Sequence, residues 1–508
     1  MTISKIKGKV YLVGAGPGES GLITVRGAEL LKLADCVICD KLANPILLNY
    51  VRPTAEIINA PKRTGKRSVT QEEINKLLVE KASKGQIVVR LKGGDPCIFG
   101  RGGAAAAIRP QPGIHFELVP GILARIVAPE YAGIMLTDRN YSSQVIFVTG
   151  HEADGKKKSS IDWQLLAKFS GTIVFYMAME NLEFIVGELI KNGMAEDMPA
   201  AVIADATLPG QKILQTSLKK ICKECIKNEI EPPAIIIIGK AAKGNSKLNW
   251  FTKKPLFGKN IVVTRDEKGN AEFAAKIIQQ GGNAIELAAI KIKPLTQTNQ
   301  FLKISAKLAE FDWVIFTSSN GVLIFFDALR KLSKDGRVFG SAKIAAIGSE
   351  TAAKLSEFGI RADFVPSVFT SEDLGKELKE YTNLREKKIL LLRSEIASDE
   401  LNKLLTQTGA EVQSAALYEI VTQKNKCERL KEQISKGIID WLTFASPSSV
   451  KGFFEQIPSD IKKANNVRIA SIGPITSQEL KKFGIKVDVE ADEHTIDGLL
   501  AAIEGMYK

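Results

Sequence analysis

At 508 residues the chain exceeds what one hydrophobic core supports, and a domain size of about 150 residues divides it into three or four units. Hydrophobic residues make up 45% and charged residues 25%, which excludes a disordered or fibrous chain, and the longest apolar runs, such as Ala234–Gly239, are strand-length, far short of the ~20 residues of a membrane span. The net charge of +13 is compatible with a solvated lysine-rich surface, a nucleic-acid partner or a small polyanionic substrate, and composition does not choose among them.

In chain order, MTISKIKGKVYLVG runs straight into a buried-strand pattern and does not read as a signal peptide. KVYLVGAGPG predicts a strand and a glycine turn, ITVRGAELLKLA a helix, and DCVICD a second strand. QIVVRLKGGDP repeats the strand and glycine turn, QVIFVTG opens a strand around residue 144, and GTIVFYMAM is another. PEYAGIMLTDRN reads as a hinge within the first half. This alternation predicts an α/β protein with largely parallel sheets. The main boundary falls in the polar, basic KGNSKLNWFTKKPLFGKN, near 245–258, before a fresh strand at Ile261.

The six cysteines include two C-x-x-C pairs, Cys36/Cys39 and Cys222/Cys225, far apart and without a nearby histidine. They read as reduced structural thiols of a cytoplasmic protein. His115, His151 and His494 are also far apart, so neither a metal cluster nor a histidine-activated nucleophile is expected.

The second half is duplicated. A shift of 128 residues lays FDWVIFTSSNGVLIFF (311–326) on IDWLTFASPSSVKGFF (439–454), and KNIVVTR (259–265) on KKILLLR (387–393). A shift of 125 lays IGSETAAKLSEFGI (347–360) on IGPITSQELKKFGI (472–485). Two similar lobes form a cleft, a common ligand site.

Gly14-Ala15-Gly16-Pro17-Gly18 follows a strand but is not the dinucleotide fingerprint, because the third glycine comes one residue early and Pro17 has no N–H. Arg90-Leu91-Lys92-Gly93-Gly94-Asp95-Pro96 offers bare backbone and a carboxylate, and reads equally as a tight turn capped by Asp95. In order, GAGPG, RLKGGDP, VPGI, VFYM and AVI resemble the uroporphyrinogen-III C-methyltransferase family of tetrapyrrole methylases over roughly 8–245. The resemblance implies two α/β lobes, about 1–136 and 137–245, with S-adenosylmethionine held by Pro17, Gly93, Gly94, Asp95, Ile98, Leu123, Ala124, Met177 and Ala206. It also implies two catalytic residues, an acid-base aspartate at Asp40 and a lysine at Lys62, which could also pair with substrate carboxylates. Arg63 and Arg139 would pair with substrate carboxylates. The sequence departs from the family's V-P-G-I-T-[SA]-A at VPGILAR, from R-G-G-E-E at Ala104 and Ala105, from L-T-H-R at Asp138 and from E-N-G-T at Ala206.

In the second half, hydroxyl-rich turns open helices at Ser318, at Ser448 and Ser449, and at Thr476. Each is either an ordinary N-cap or, around a duplicated cleft, an anion site. The order IVVTR, FTSSNGV, AAIGSETA, LLLRSE, ALYEI, FASPSSV, SIGPITSQEL and HTIDGL resembles uroporphyrinogen-III synthase over roughly 258–505. By that resemblance the domain runs 259–508 after a 246–258 linker, with lobe A about 259–293 plus 423–508 and lobe B about 294–422. It closes hydroxymethylbilane without a cofactor. Tyr418 is the implied proton donor, and Ser318, Ser448, Ser449 and Thr476 the implied substrate contacts.

The fusion accounts for both halves, since the product of the second is the substrate of the first. The partners expected are tetrapyrroles, with neither nucleic acid nor membrane, and a homodimer through residues 1–245. The alternatives are a nucleic-acid-binding protein, for which clustered basic and aromatic residues are not evident, and a chain whose altered methylase half is a weakened enzyme or a sensor.

Overall fold

Short β-branched runs flanked by glycine turns build the first sheet from β1 (Lys9–Gly14), β2 (Cys36–Asp40), β3 (Glu56–Ala60), β4 (Ile87–Lys92) and β5 (His115–Val119). The computed structural model describes residues 8–52, 54–60, 70–99, 114–151, 159–425, 427–457 and 466–507. The order is β3-β2-β4-β1-β5, with every pairing parallel. A parallel sheet is covered on both faces, so its strands are apolar throughout rather than alternating. Tyr11, Val13 and Val37 pack with Leu30 and Leu31 of the helix Val25–Leu33. Val10, Leu12 and Ile38 pack with Ile74 and Leu78 of the helix Gln71–Ser83. Thr70 and Glu73 close a capping box that sets where the latter helix begins.

The second sheet contains β6 (Val145–Thr149), β7 (Thr172–Tyr176), β8 (Pro199–Ala204), β9 (Lys212–Ser217) and β10 (Ala234–Ile238), in the order β6-β7-β10-β8-β9. Only β6 and β7 are parallel here; β10 runs antiparallel to β7 and β8, and β8 antiparallel to β9. The expectation of largely parallel sheets is corrected at this point. β10 is so apolar that it reads the same in either direction, and the short β8–β9 turn requires antiparallel neighbours.

The remaining strands are β11 (Asn260–Val263), β12 (Asn283–Glu286), β13 (Ile290–Pro294), β14 (Trp313–Phe316), β15 (Lys343–Ala346), β16 (Lys388–Ser394), β17 (Glu411–Thr422), β18 (Trp441–Phe444), β19 (Arg468–Ser471) and β20 (Val489–Glu490). They form two sheets, β12-β11-β18-β19-β20 and β13-β17-β16-β14-β15. The duplication is visible in the topology. Setting β13 aside, β17-β16-β14-β15 repeats β12-β11-β18-β19, and a single bridge from Ala345 to Phe364 stands where β19 meets β20. Side chains repeat as well. Lys343 lies over the Trp313 ring at 5.6 Å, and Arg468, 125 residues on, lies over Trp441 at 5.7 Å.

The chain divides into two compact units, Met1–Ile261 with Phe273–Ile285 and Ile503–Lys508, and Val262–Glu272 with Glu286–Ala502. The stretch 246–258 is folded rather than extended. Trp250 and Phe251 set their rings 4.8 and 4.9 Å from that of Tyr131, and Leu256 is fully buried.

Candidate active sites

In the first unit the glycine turns at the ends of β1, β4 and β5 interlock. Gly16 and Gly94 bridge, with the Gly94 N–H donating to the Gly16 carbonyl at 2.8 Å. A Cβ on Gly121 would stand 2.2 Å from the Gly94 oxygen and 2.6 Å from the Gly14 Cα, so these loops touch backbone to backbone. Asp95 fastens the assembly: its carboxylate accepts from Cys97 N–H (2.8 Å), Ile98 N–H (3.2 Å) and Gly121 N–H (3.0 Å). The capping role of Asp95 is therefore present in full.

The other lobe joins the same place. The Glu19 N–H, one residue past the first glycine turn, donates to Thr207 Oγ1 at 2.9 Å, next to Ala206. Tyr131 donates its hydroxyl to Glu19, and burial together with that carboxylate pushes its pKa up. A Cβ on Gly94 would lie 4.0 Å from the Tyr176 hydroxyl, beside Met177. Pro17, Gly93, Gly94, Asp95, Ile98, Met177 and Ala206 thus lie on, or close in the chain to, residues of this one strand-end assembly, and Leu123 and Ala124 follow Gly121 by two and three residues. Ile98 and Met177 are 46% and 45% exposed, so its side-chain rim is open.

Asp40, at the end of β2, lies 3.6 Å from Arg90 Nη2 and 4.0 Å from Lys92 Nζ. Arg90 is buried and donates through Nη1 to the Ile38 carbonyl, a geometry that holds its guanidinium at the strand ends. Lys62, Arg63, Ala104 and Ala105 lie outside the described residues. Arg139 is exposed in a turn that Asp138 closes by accepting from Asn140 N–H at 2.8 Å. Asp138, where the family pattern has histidine, thus has a turn-forming role.

In the second unit Tyr418 is 5% exposed and its hydroxyl meets Ser318 Oγ at 2.9 Å. Burial pushes the phenol pKa up, and hydrogen bonds with Ser318 and Ser394 oppose the shift. Tyr418, Ser394, Thr317 and Arg393 line a cavity of about 170 Å³, below the ~300 Å³ of a small-ligand pocket. A second cavity of about 170 Å³ lies between Arg265, Lys268, Ser319, Asn320, Glu350 and Lys354.

Of the other hydroxyls, Ser318 caps the helix Ser319–Lys331 by accepting from Gly321 N–H at 3.0 Å. Ser448 is partly exposed. Ser449 is fully buried and donates to the Ser446 carbonyl at 2.8 Å, because its place on the first turn faces inward. Thr476 is also buried, at 3% exposure, in the first turn of the helix Pro474–Lys482.

The model of the tetrapyrrole (corrin/porphyrin) methylases matches residues 9–222, and that of uroporphyrinogen-III synthase HemD matches residues 271–501. A porphyrin biosynthesis protein HemD of Ruminiclostridium josui is 37% identical over 493 residues, 97% of each chain. The chain belongs to the fused methylase–synthase family. A uroporphyrinogen-III C-methyltransferase of Bacillus subtilis is 38% identical over 69% of this chain and 72% of its own. Another, from Synechocystis, is 47% identical over 46% of this chain and 89% of its own.

Within this methylase–synthase chain, two features escaped the sequence reading. Arg265, two residues past β11, and Arg393, next to last in β16, are 128 residues apart, and each lines one of the two cavities. The internal repeat places one on the other and so carried the signal. Arg125 is the last residue of VPGILAR, and nothing in the sequence marks it as buried, yet it has no exposed surface. No described helix is long and apolar enough to cross a membrane.

Proposed function

We propose that the second half cyclises hydroxymethylbilane to uroporphyrinogen III with inversion of ring D, and that the first half methylates that product at C2 and C7 to give precorrin-2, on the branch to siroheme and cobalamin. The observation that carries this reading is the match along 97% of the chain to a porphyrin biosynthesis protein, with one family model on each half.

The strand-end assembly of the first unit fits S-adenosylmethionine. Gly93, Gly94 and Asp95 supply backbone, Pro17, Leu123, Ala124 and Ala206 add small or apolar surface, and Ile98 and Met177 stand open at the rim. The cofactor supplies an electrophilic methyl group. Carbon methylation of a pyrrole releases a proton, and in this reading the Asp40 carboxylate, 3.6 Å from Arg90 and 4.0 Å from Lys92, receives it. Lys62, Arg63 and Arg139 complete the substrate side in this reading.

In the second unit, ring closure requires loss of a hydroxyl as water. Tyr418 donates the proton, and its 2.9 Å partner Ser318 orients the phenol. Arg265, Arg393, Ser448 and Thr476 attract substrate carboxylates, and the reaction needs no cofactor. The chain works in the cytoplasm and pairs through residues 1–245.

A second reading keeps the synthase and makes the first half a weakened methylase or a binding sensor. The departures from the family pattern at Leu123 and Ala206, among the cofactor residues, favour it. Incubation of the pure protein with hydroxymethylbilane and S-adenosylmethionine, followed by mass, separates the two. Two added methyl groups support the full reading, uroporphyrinogen III alone supports the second, and the spontaneous type I isomer alone overturns both.

A further inference from the structure

Arg125 opens the helix Ala124–Tyr131 and has no exposed surface. Its guanidinium carbon lies 4.6 Å from the centre of the Phe99 ring, 4.7 Å from Tyr176 and 5.1 Å from Phe147. Ring faces attract the charge. They do not accept the N–H groups in the guanidinium plane. Nε, Nη1 and Nη2 are all buried and have no hydrogen-bond acceptor among the described residues.

A guanidinium does not escape this by losing its proton, as a buried lysine does. It stays a full charge with five donors, and such a charge calls for an anion. Asp95 acts on it electrostatically, but both Asp95 oxygens already take backbone N–H groups. Burial pushes the Tyr176 phenol pKa up, so that ring stays neutral. Among the described residues no counter-ion pairs with it through hydrogen bonds.

The location narrows its chemistry. Phe99, Arg125 and Tyr176 are the immediate chain neighbours of Ile98, Ala124 and Met177. Phe99, whose ring lies over the guanidinium, is 40% exposed, and Phe99 and Met177 both hold positive φ, 53° and 54°. A planar fork of N–H donors matches a carboxylate with two parallel hydrogen bonds.

We propose that Arg125 is a carboxylate receptor of the methyl-transfer site. The proposal rests on reading the strand-end assembly as that site. Two molecules bring the required group: the cofactor, through the α-carboxylate of its methionine part, and the tetrapyrrole, through its side-chain carboxylates. On binding, the Phe99 ring turns aside and the carboxylate takes the in-plane N–H groups. The family pattern has alanine at this position, so the contact is a feature of this chain.

The test is equilibrium binding by the full-length protein of S-adenosylhomocysteine, decarboxylated S-adenosylmethionine and uroporphyrin III. Arg125→Met keeps the packing among the rings without the charge, and Arg125→Lys keeps the charge without the fork. The expected result is a loss of tenfold or more on Arg125→Met for one carboxylate-bearing probe, partly recovered in Arg125→Lys. If S-adenosylhomocysteine weakens while the decarboxylated probe does not, the partner is the cofactor carboxylate. If only uroporphyrin III weakens, it is the tetrapyrrole. Unchanged or tighter binding of both carboxylate probes by Arg125→Met overturns the proposal and leaves the functional reading standing. Equal weakening of the decarboxylated probe and S-adenosylhomocysteine overturns it too. Wild-type protein that binds none of the probes overturns the functional reading, and the proposal with it.

Discussion

Tyr418 and Ser318 meet hydroxyl to hydroxyl at 2.9 Å, from a strand and a helix cap 100 residues apart. Ser318 already accepts from Gly321 N–H, so its own proton and remaining lone pair are what it offers the phenol. Tyr418→Phe keeps the packed ring and removes only the hydroxyl. The expected outcome is a loss of ring-closure turnover on the order of 10²-fold, with stability changed by no more than about 1 kcal/mol. Timed conversion of hydroxymethylbilane and a urea titration measure both. Turnover within a factor of two of wild type removes Tyr418 from the chemistry.

The same phenol carries a pH signature. Its folded pKa is raised by burial above the unfolded value of about 10. Below that value both states hold the proton, and the contribution to stability is complete. As pH rises past it, the unfolded chain ionises first, and the contribution is lost as pH climbs through the folded pKa. Wild type is therefore expected to lose stability above about pH 10 more steeply than Tyr418→Phe. Parallel curves from urea melts across that range contradict the assignment.

Gly121 tests the interlocked turns. In Gly121→Ala the new methyl meets the Gly94 oxygen at 2.2 Å, and neither backbone has a soft side chain to move. A destabilisation of about 1–3 kcal/mol and loss of S-adenosylhomocysteine binding are expected, with the synthase reaction retained. Differential scanning calorimetry and binding titration report the two effects. Unaltered binding shows that the loops do not shape the cofactor site.

Asp40→Asn removes the proposed proton acceptor while keeping shape and the contact with Arg90. Methylation is expected to fall by about 10²-fold or more, with S-adenosylhomocysteine affinity unchanged. The readout is the mass distribution of the product in a single-turnover experiment. A weakened affinity with unchanged turnover reassigns Asp40 to binding.

The duplicated arginines separate binding from folding. Arg393 Nη1 donates to the Ser398 carbonyl at 3.0 Å and lies 3.4 Å from Asp399, whereas Arg265 lines its cavity beside Lys268. Arg265→Gln is expected to raise the KM for hydroxymethylbilane about tenfold, one lost charge-assisted contact, without moving the melting temperature. Arg393→Gln raises KM and lowers the melting temperature together. Steady-state kinetics with thermal melts check the pair, and an unchanged KM in both variants excludes them from substrate binding.

Much of this architecture was legible in the residues. The 128-residue shift anticipated the repeated strand order and, had each matched residue been weighed, the pair Arg265 and Arg393. The glycine turns were legible because glycine has few other reasons to recur at strand ends. Strand direction in the second sheet was not, since Ile235–Ile238 is buried whichever way it runs. The burial of Ser449 was not legible either, because a hydroxyl in a helix's first turn serves a cap and an anion equally well. Arg125 was invisible because a charged residue in a helix's first turn belongs by default to the surface, and only its surroundings show otherwise.

The contact of Gly14, Gly94 and Gly121 has a consequence for how this half of the chain changes over time. With no side chain between the three loops, lengthening any one of them displaces the other two, and any larger residue there is an obstruction. The side chains near the frame are under no such rule, and departures from the family pattern fall among them, at Leu123 and Ala206. Loss of chemistry and loss of shape are thus decoupled: a descendant that had stopped transferring methyl groups would still carry the glycines, and would keep a scaffold ready for a different ligand.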